Sequence, residues 1–474
     1  IIGGFIEDFT DQTFYMKDRN GKLFFGYGGD FGEQQSDSFR CVSGIMTSNK
    51  TPKPACKTVS EAFCNFTITA PDLAGGMVEI RNNHVFYSDT VFKYFWFIEE
   101  NNERVREGQI QGLQLKAGER RKIKLDLQGY RPKAGKYCVL NNLVNKASRI
   151  NNMFRFQDVA RVQFEYPVQR GLPLSPGPGS ALKLSRNGKE LQIEGKEFGI
   201  SIDTLTAVIR SIRYKGTELL ESPLMPLMAR APVDNDIYSG KSGDYSSWLD
   251  VWQGFKPSSC SVREGSKGRI DCQISGTLQT KGNAGFIMEI SVLADGDILL
   301  NTHLEPGSDA KRPPRLGWIC TVPAKFGNVK WAGRGPYDGF PDRKSGLLTG
   351  EFKTTAAEFN VPLVRPQEMG VKTDLQWIGI STFEGMTLAA YAPVPFEASV
   401  LPFGYQELFG RYKHGSDIPK GNANTVIFSS LQAPVGDGIK TMADQTGGSM
   451  NFNLRLKLAD DRSATLWSHF AESW

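Results

Sequence analysis

The chain has 474 residues, 40% hydrophobic, 23% charged and 11% aromatic. That is the composition of folded domains with substantial cores, and it argues against a disordered or collagen-like chain; the length calls for more than one domain. Lys and Arg outnumber Asp and Glu by only 56 to 51, no basic run carries interleaved aromatics, and no apolar run approaches about 18 residues, so neither a dedicated nucleic-acid binder nor a membrane span is expected.

The chain opens Ile1-Ile2-Gly3-Gly4 with no initiator Met or leader, and reads as a processed or excised piece of a longer polypeptide. No nucleophilic Ser motif or partner His follows that start, so a trypsin-like protease is set aside. Residues 1–9 are an apolar run ending in Glu7-Asp8 and are expected as a strand; residues 54–63 are expected as a short helix with Pro54 in its first turn. Joined by a long loop, they make one βα unit over residues 1–65. Such a unit cannot bury its own faces and must pack against polypeptide supplied from elsewhere.

Next come residues 77–81, 94–98, 122–127 and 161–166, which alternate or carry the β-branched and aromatic bulk of strands. Turns rich in Asn or Gly separate them (Arg81-Asn82-Asn83, Glu100-Asn101-Asn102-Glu103, Lys133-Ala134-Gly135), as in an immunoglobulin-like sandwich over residues 66–168. The Pro- and Gly-rich run within residues 169–181 reads as a linker. Beyond it, Asn187-Gly188 signals a hairpin, and strands are expected at residues 198–203, 286–292, 298–301 and 452–458. The few helical candidates are short, residues 246–252 among them. The stretch 182–474 fits one large β-sandwich better than several small ones. The expected fold class is therefore mainly β.

Seven cysteines without a C-x-x-C pair do not suggest zinc, and His84, His303, His414 and His469 are scattered without ligand spacing. Cys260 and Cys272 flank a turn-rich stretch and are candidates for a cross-strand disulfide in an oxidising compartment. Asn49-Lys50-Thr51 and Asn65-Phe66-Thr67 match the N-glycosylation pattern, making Asn49 and Asn65 candidate acceptors. Together these lean toward a secreted protein; buried free thiols in a cytosolic protein are the alternative.

Six segments in order then carry a resemblance: residues 3–12 (Gly-Gly-Phe-Ile-Glu-Asp-Phe-Thr-Asp-Gln), 27–32, 50–55, 230–237 (Arg-Ala-Pro-Val-Asp-Asn-Asp-Ile), 333–343 and 365–370 (Arg-Pro-Gln-Glu-Met-Gly). The chain resembles the C-terminal half of glycoside hydrolase family 2 β-galactosidases, from the last strand of the catalytic barrel onward. The resemblance implies the end of a TIM-like barrel, an immunoglobulin-like domain and a large supersandwich. It implies, too, a partner polypeptide completing the barrel, a galactoside or other glycan as ligand, and leaves room for a homo-oligomer.

Retaining glycoside hydrolysis needs two carboxyl groups about 5–5.5 Å apart. The resemblance places both catalytic glutamates, and the carboxylates that hold magnesium, at positions before Ile1; no cofactor is expected in this chain, and magnesium and sodium belong to a complete active relative. Glu7 and Asp8, adjacent on a strand, point to opposite faces and cannot converge on one bond. Glu7 stands where the family has a Trp lining the sugar site, and a carboxylate offers no apolar platform. Arg40 and Ser43 stand where some relatives use a main-chain carbonyl and an Asn to hold sodium, and an Arg there would repel the cation. Near residues 435–441 the family's tryptophan-bearing stretch has no Trp. Asp8, Asp30, Asp236 and Tyr238 remain candidates for the rim of the pocket, beside a hydrogen-bonded-turn reading of Asp234-Asn235-Asp236. A catalytically inactive structural, assembly or carbohydrate-binding protein of the same fold is the alternative to an enzyme fragment.

Overall fold

The computed structural model describes residues 4–86, 92–133, 137–150, 153–167, 181–265, 268–280, 282–308, 310–361, 363–430, 432–436 and 446–460. The chain divides into two compact units. One comprises Ile1–Cys56, Pro176–Lys344 and Phe352–Arg462; the other comprises Lys57–Ser175, Ser345–Glu351 and Ser463–Trp474. The segment 1–65 is thus shared between the two units, and the expected linker falls almost wholly outside the described residues. Among the described residues no helix is long and apolar enough to cross a membrane.

A short helix, α1 (Ala55–Ala62), begins at the end of the first unit's opening segment and leads into the seven strands of the second: β3 (Phe66–Asp72), β4 (Met77–Asn82), β5 (Phe92–Glu100), β6 (Glu103–Ile110), β7 (Arg120–Lys124), β8 (Cys138–Ile150) and β9 (Met153–Glu165). They form two antiparallel sheets, in orders β3-β4-β7 and β6-β5-β8-β9. Alternation sorts the side chains: Val78 and Ile80 on β4, Trp96 and Ile98 on β5, and Leu140 and Val144 on β8 all point into the core between the sheets. Asn101 and Asn102 both take left-handed backbone (φ 46° and 66°), as the tight β5–β6 hairpin requires. Gly108 is fixed by packing, because a Cβ there would lie 2.7 Å from the Trp96 ring. Thr349, far along the chain, joins this unit through its amide to Gln163 Oε1 (2.7 Å) and its hydroxyl to Glu165 (3.0 Å).

In the first unit the expected strand over residues 1–9 is absent from its described part, residues 4–9. The segment keeps only a one-sided pairing: the Ile45 and Met46 amides donate to the Asp8 and Phe9 carbonyls (both 3.1 Å), and Thr10 makes a lone parallel bridge to Met46. A barrel strand is built by neighbours on both sides, and here one side is supplied. The loop that follows holds a hairpin the sequence reading missed, β1 (Phe14–Lys17) with β2 (Leu23–Gly26). Its signal was present: Asn20-Gly21 sits at the turn, Gly21 takes φ +81°, and Asp18 Oδ1 accepts from the Asn20 and Lys22 amides at 2.8 Å.

The rest of this unit is a 17-stranded antiparallel sheet from Lys183–Asn187 to Met450–Asp460, doubled back on itself by extra pairings such as Leu227 with Gly317 and Leu300 with Leu454. One continuous apolar core results, with Trp318, Trp331, Phe286 and Phe428 wholly enclosed. The 187–188 hairpin and the four expected strands all appear, at Phe198–Asp203, Ala284–Leu293, Ile298–Glu305 and Met450–Asp460. Helix at residues 246–252 is corrected: the helix lies at Ser242–Ser246, followed by a single 3-10 turn, Val251–Gly254. Trp252 fixes that turn, donating to the Thr206 carbonyl (3.0 Å) and stacking on Phe255.

Candidate functional site

Two segments more than 100 residues apart, 230–237 and 365–370, clasp each other outside the strands of the large sheet. Arg230, wholly buried, directs Nη2 at both carboxylate oxygens of Asp236 (2.8 Å each), while the Val233 amide donates to the same carboxylate (2.8 Å). Burial pushes the Asp236 carboxyl up in pKa, against the pull of Arg230 and that amide. Asp234 is held from the other segment: Arg365 Nη1 lies 2.6 Å away, Gln367 Nε2 3.0 Å, and the Asp234 amide returns a bond to Gln367 Oε1 (3.2 Å). Glu368 accepts from the Ala231 amide (2.9 Å), the Tyr405 hydroxyl (2.7 Å) and Arg315 (2.5 Å). Every carboxylate of the pair is thereby satisfied by a donor suited to it, and the short helix Asp234–Tyr238 is fixed in place.

The helix presents Tyr238, about two-fifths exposed, to the loop that follows Thr10. Phe39 packs on the Tyr238 ring (centroids 4.9 Å apart), the Arg40 guanidinium lies 5.1 Å over the same ring, and Arg365 lies 4.8 Å over Phe39. A second anchor uses Asp30, which accepts from the Tyr27 amide (2.7 Å), Lys413 Nζ (2.7 Å) and His414 Nε2 (2.9 Å). Burial opposes ionisation of Asp30, but these donors together outweigh it and hold the carboxyl below its usual range. His414 meets Asp417 through Nδ1 (3.2 Å) and packs edge-on against Phe24 and Tyr27.

The structure therefore brings Arg40 and Tyr238 together, turns Asp236 inward onto Arg230, and ties Asp30 to Lys413 and His414. Asp8 accepts from Gln12 (2.8 Å), and Glu7 is exposed. The Arg40 carbonyl receives the Ser43 hydroxyl (2.6 Å) and amide (3.3 Å), so those two residues face each other. Asp342 accepts the Val435 and Gly436 amides (3.0 and 2.7 Å), and Asn235 donates to the Val435 carbonyl (2.9 Å). Residues 437–441, where the tryptophan was expected and not found, lie outside the described residues. Phe39, Lys413 and His414 carried no sequence signal; Arg365 stood inside a matched segment, but its partner could not be read without the fold.

Asn49 is exposed, its side-chain oxygen accepting from Thr51 (3.0 Å) and its amide reaching Tyr15; Asn65 is also exposed. Cys260 and Cys272 are free thiols. They lie diagonally on adjacent strands, Cys260 opposite Ile274 and Cys272 opposite Val262, so they are not a directly facing pair. Among the described residues no three His, Cys, Asp or Glu side chains converge in a way that would hold a metal.

Residues 194–444 match the family model described as Beta galactosidase small chain, more than half of the chain. The chain belongs to that family. Residues 1–68 match the model described as Glycosyl hydrolases family 2, TIM barrel domain, so the loop bearing Phe39 and Arg40 is similar to the end of such a barrel. Among relatives, a beta-galactosidase of Priestia megaterium is 26% identical over 92% of this chain and 42% of its own length. One from Halalkalibacterium halodurans is 25% identical over the same two shares, and one from Pseudoalteromonas haloplanktis is 24% identical over 80% of this chain and 38% of its own. The chain thus spans about two-fifths of the length of these curated relatives.

Proposed function

We propose that this small-chain family member is the C-terminal part of a β-galactosidase-like retaining glycoside hydrolase, and that the two catalytic glutamates are supplied by polypeptide outside it. The observation that carries this reading is the clamp of Phe39 and Arg40 onto Tyr238 and Arg365. In (β/α)8 enzymes the loops after the barrel strands form the catalytic face. Similarity of residues 1–68 to the family 2 barrel supports reading the loop after Thr10 as one of these, with the Tyr238 helix of the large sheet as its wall. The chain's own residues would then shape and enclose the sugar site rather than transfer protons. Asp236 is committed to Arg230 and Asp30 to Lys413 and His414, which leaves neither as a general acid or nucleophile.

A second reading, an inactive member of the same fold, is favoured by three local features. Glu7 stands at the position where the resemblance expects a stacking aromatic, a cationic Arg40 stands where relatives hold sodium, and the Ser43 hydroxyl closes on the Arg40 carbonyl. The Arg40 carbonyl is already taken by the Ser43 hydroxyl and amide, and the positive charge of Arg40 disfavours a cation there. Joining this chain to its upstream polypeptide and assaying a nitrophenyl β-galactoside decides between the two. Turnover by the joined protein supports the enzyme, and its absence the inactive member. Turnover by residues 1–474 alone overturns the first reading.

A further inference from the structure

The outer face of the β3-β4-β7 sheet carries an unusual arrangement of charge. Alternation sends Thr67 and Thr69, Glu79 and Arg81, and Arg120, Lys122 and Lys124 to the solvent side, opposite the buried Ile68, Val78 and Ile80. Arg81 and Arg120 are direct cross-strand partners, and Lys122 sits opposite Glu79. The face thus holds four cations, all exposed, against two carboxylates, Glu79 and, beyond the bulge at the end of β3, Asp72 opposite Met77. Among the described residues, no ion pair engages Arg81, Arg120 or Lys122.

Lysines and arginines on an edge strand are a common guard against edge-to-edge pairing, and β7 is an edge. That explanation stops at β7. Arg81 lies on the central strand β4, where edge protection asks for nothing. Like charges placed directly opposite on neighbouring strands also weaken the sheet. Two guanidiniums whose Cα atoms are about 4.5–5.5 Å apart, each able to grip two anionic oxygens, match one sulfate or carboxylate between them. Lys122 and Lys124 continue the row along β7 at about 6.8 Å spacing. A linear ligand with repeated anionic groups would meet the whole row.

We propose that this face of the sandwich binds an acidic polysaccharide, one bearing sulfate esters or uronate carboxylates, through the Arg81–Arg120 pair. Two features turn the choice away from other polyanions. The face offers no aromatic on which nucleotide bases could stack, and its one large apolar side chain, Met77, is half-buried and too little to enter a lipid layer. The preference for a glycan rests on the glycoside-hydrolase reading above, but binding here needs no turnover, so an inactive assembly would leave it standing.

Calorimetric titration of the 474-residue chain with a sulfated galactan and with its desulfated form tests this. Affinity for the sulfated polymer is expected, weakening steeply as salt is raised, with no heat from the neutral one. Arg120→Glu places an opposite charge across from Arg81, so it is expected to keep or raise the melting temperature while lowering affinity more than about tenfold. Equal binding by Arg120→Glu, equal binding of the neutral galactan, or tighter binding to single-stranded oligonucleotides or phosphatidylserine vesicles would each overturn the assignment.

Discussion

Arg365 pairs with Asp234 at 2.6 Å while the same guanidinium covers the Phe39 ring, so one side chain fastens the barrel-end loop to the helix of the large sheet. Both partners are partly buried, and the pair sits in a network with Gln367. Arg365→Leu keeps the stem's packing but leaves Asp234 with its amide partners alone. A loss of about 1–3 kcal/mol is expected, less than for a fully buried pair because some water reaches the site. Limited proteolysis should report the consequence locally, with new cleavage between residues 12 and 54. Unchanged cleavage with a lowered melting temperature would mean that Arg365 supports the sheet and not the loop.

Asp236 was a candidate pocket residue because it ends a polar run beside a glycine-containing loop, and the structure gives it a different task. Its carboxylate is the counter-charge of a fully enclosed Arg230 and also closes back onto the Val233 amide. Asp236→Asn leaves a buried guanidinium without its anion, for which a cost of about 3–5 kcal/mol is expected. The expected phenotype is loss of folded protein in a chemical denaturation curve. A variant of unaltered stability would return Asp236 to the pocket.

The strands of the large sheet were legible because alternation and β-branched bulk are local: 198–203 was read to the residue, and Asn187-Gly188 located its hairpin. The 14–26 hairpin was missed although Asn20-Gly21 marks its turn, since its strands are four residues long and neither is buried along one face. The residues 1–9 were expected as a strand for their apolar content. Pairing, however, is a property of neighbours, and local composition does not supply them. At the site, the segments 230–237 and 365–370 could be recognised separately, yet their mutual grip through Asp234 and Ala231 is a long-range fact that no spacing encodes.

Asn142 lies in the sandwich core, on the inward face of β8 between Leu140 and Val144, directly across from Trp96 and Val162. Neither its amide nitrogen nor its oxygen has a hydrogen-bond partner. A buried polar group left unpaired costs about 1–3 kcal/mol, so replacement by an apolar β-former is expected to help. Asn142→Val should raise the unfolding free energy by about 1 kcal/mol, read as a shifted urea midpoint with an unchanged slope. A destabilised variant would show that the amide is satisfied by an enclosed water.

Glu397 is fully enclosed in the large sheet, accepting only the Gln432 amide (3.1 Å) at one oxygen, while the other has no partner. Burial pushes its pKa from 4.5 up to about 8, and the Gln432 amide, Arg315 and Lys344 only partly counter it. Between those two values the folded protein keeps a proton that the unfolded chain has released. Stability from this group is therefore complete below about pH 4.5 and is lost as pH rises toward 8, by at most about 1.4 kcal/mol per pH unit. Glu397→Gln removes the titration while keeping the shape. The unfolding free energy of the variant minus that of the parent is expected to grow steadily from pH 5 to pH 8, whatever other groups do to both curves. Parallel curves across that range would mean that Glu397 is ionised in the fold, with Arg315 as its effective counter-charge.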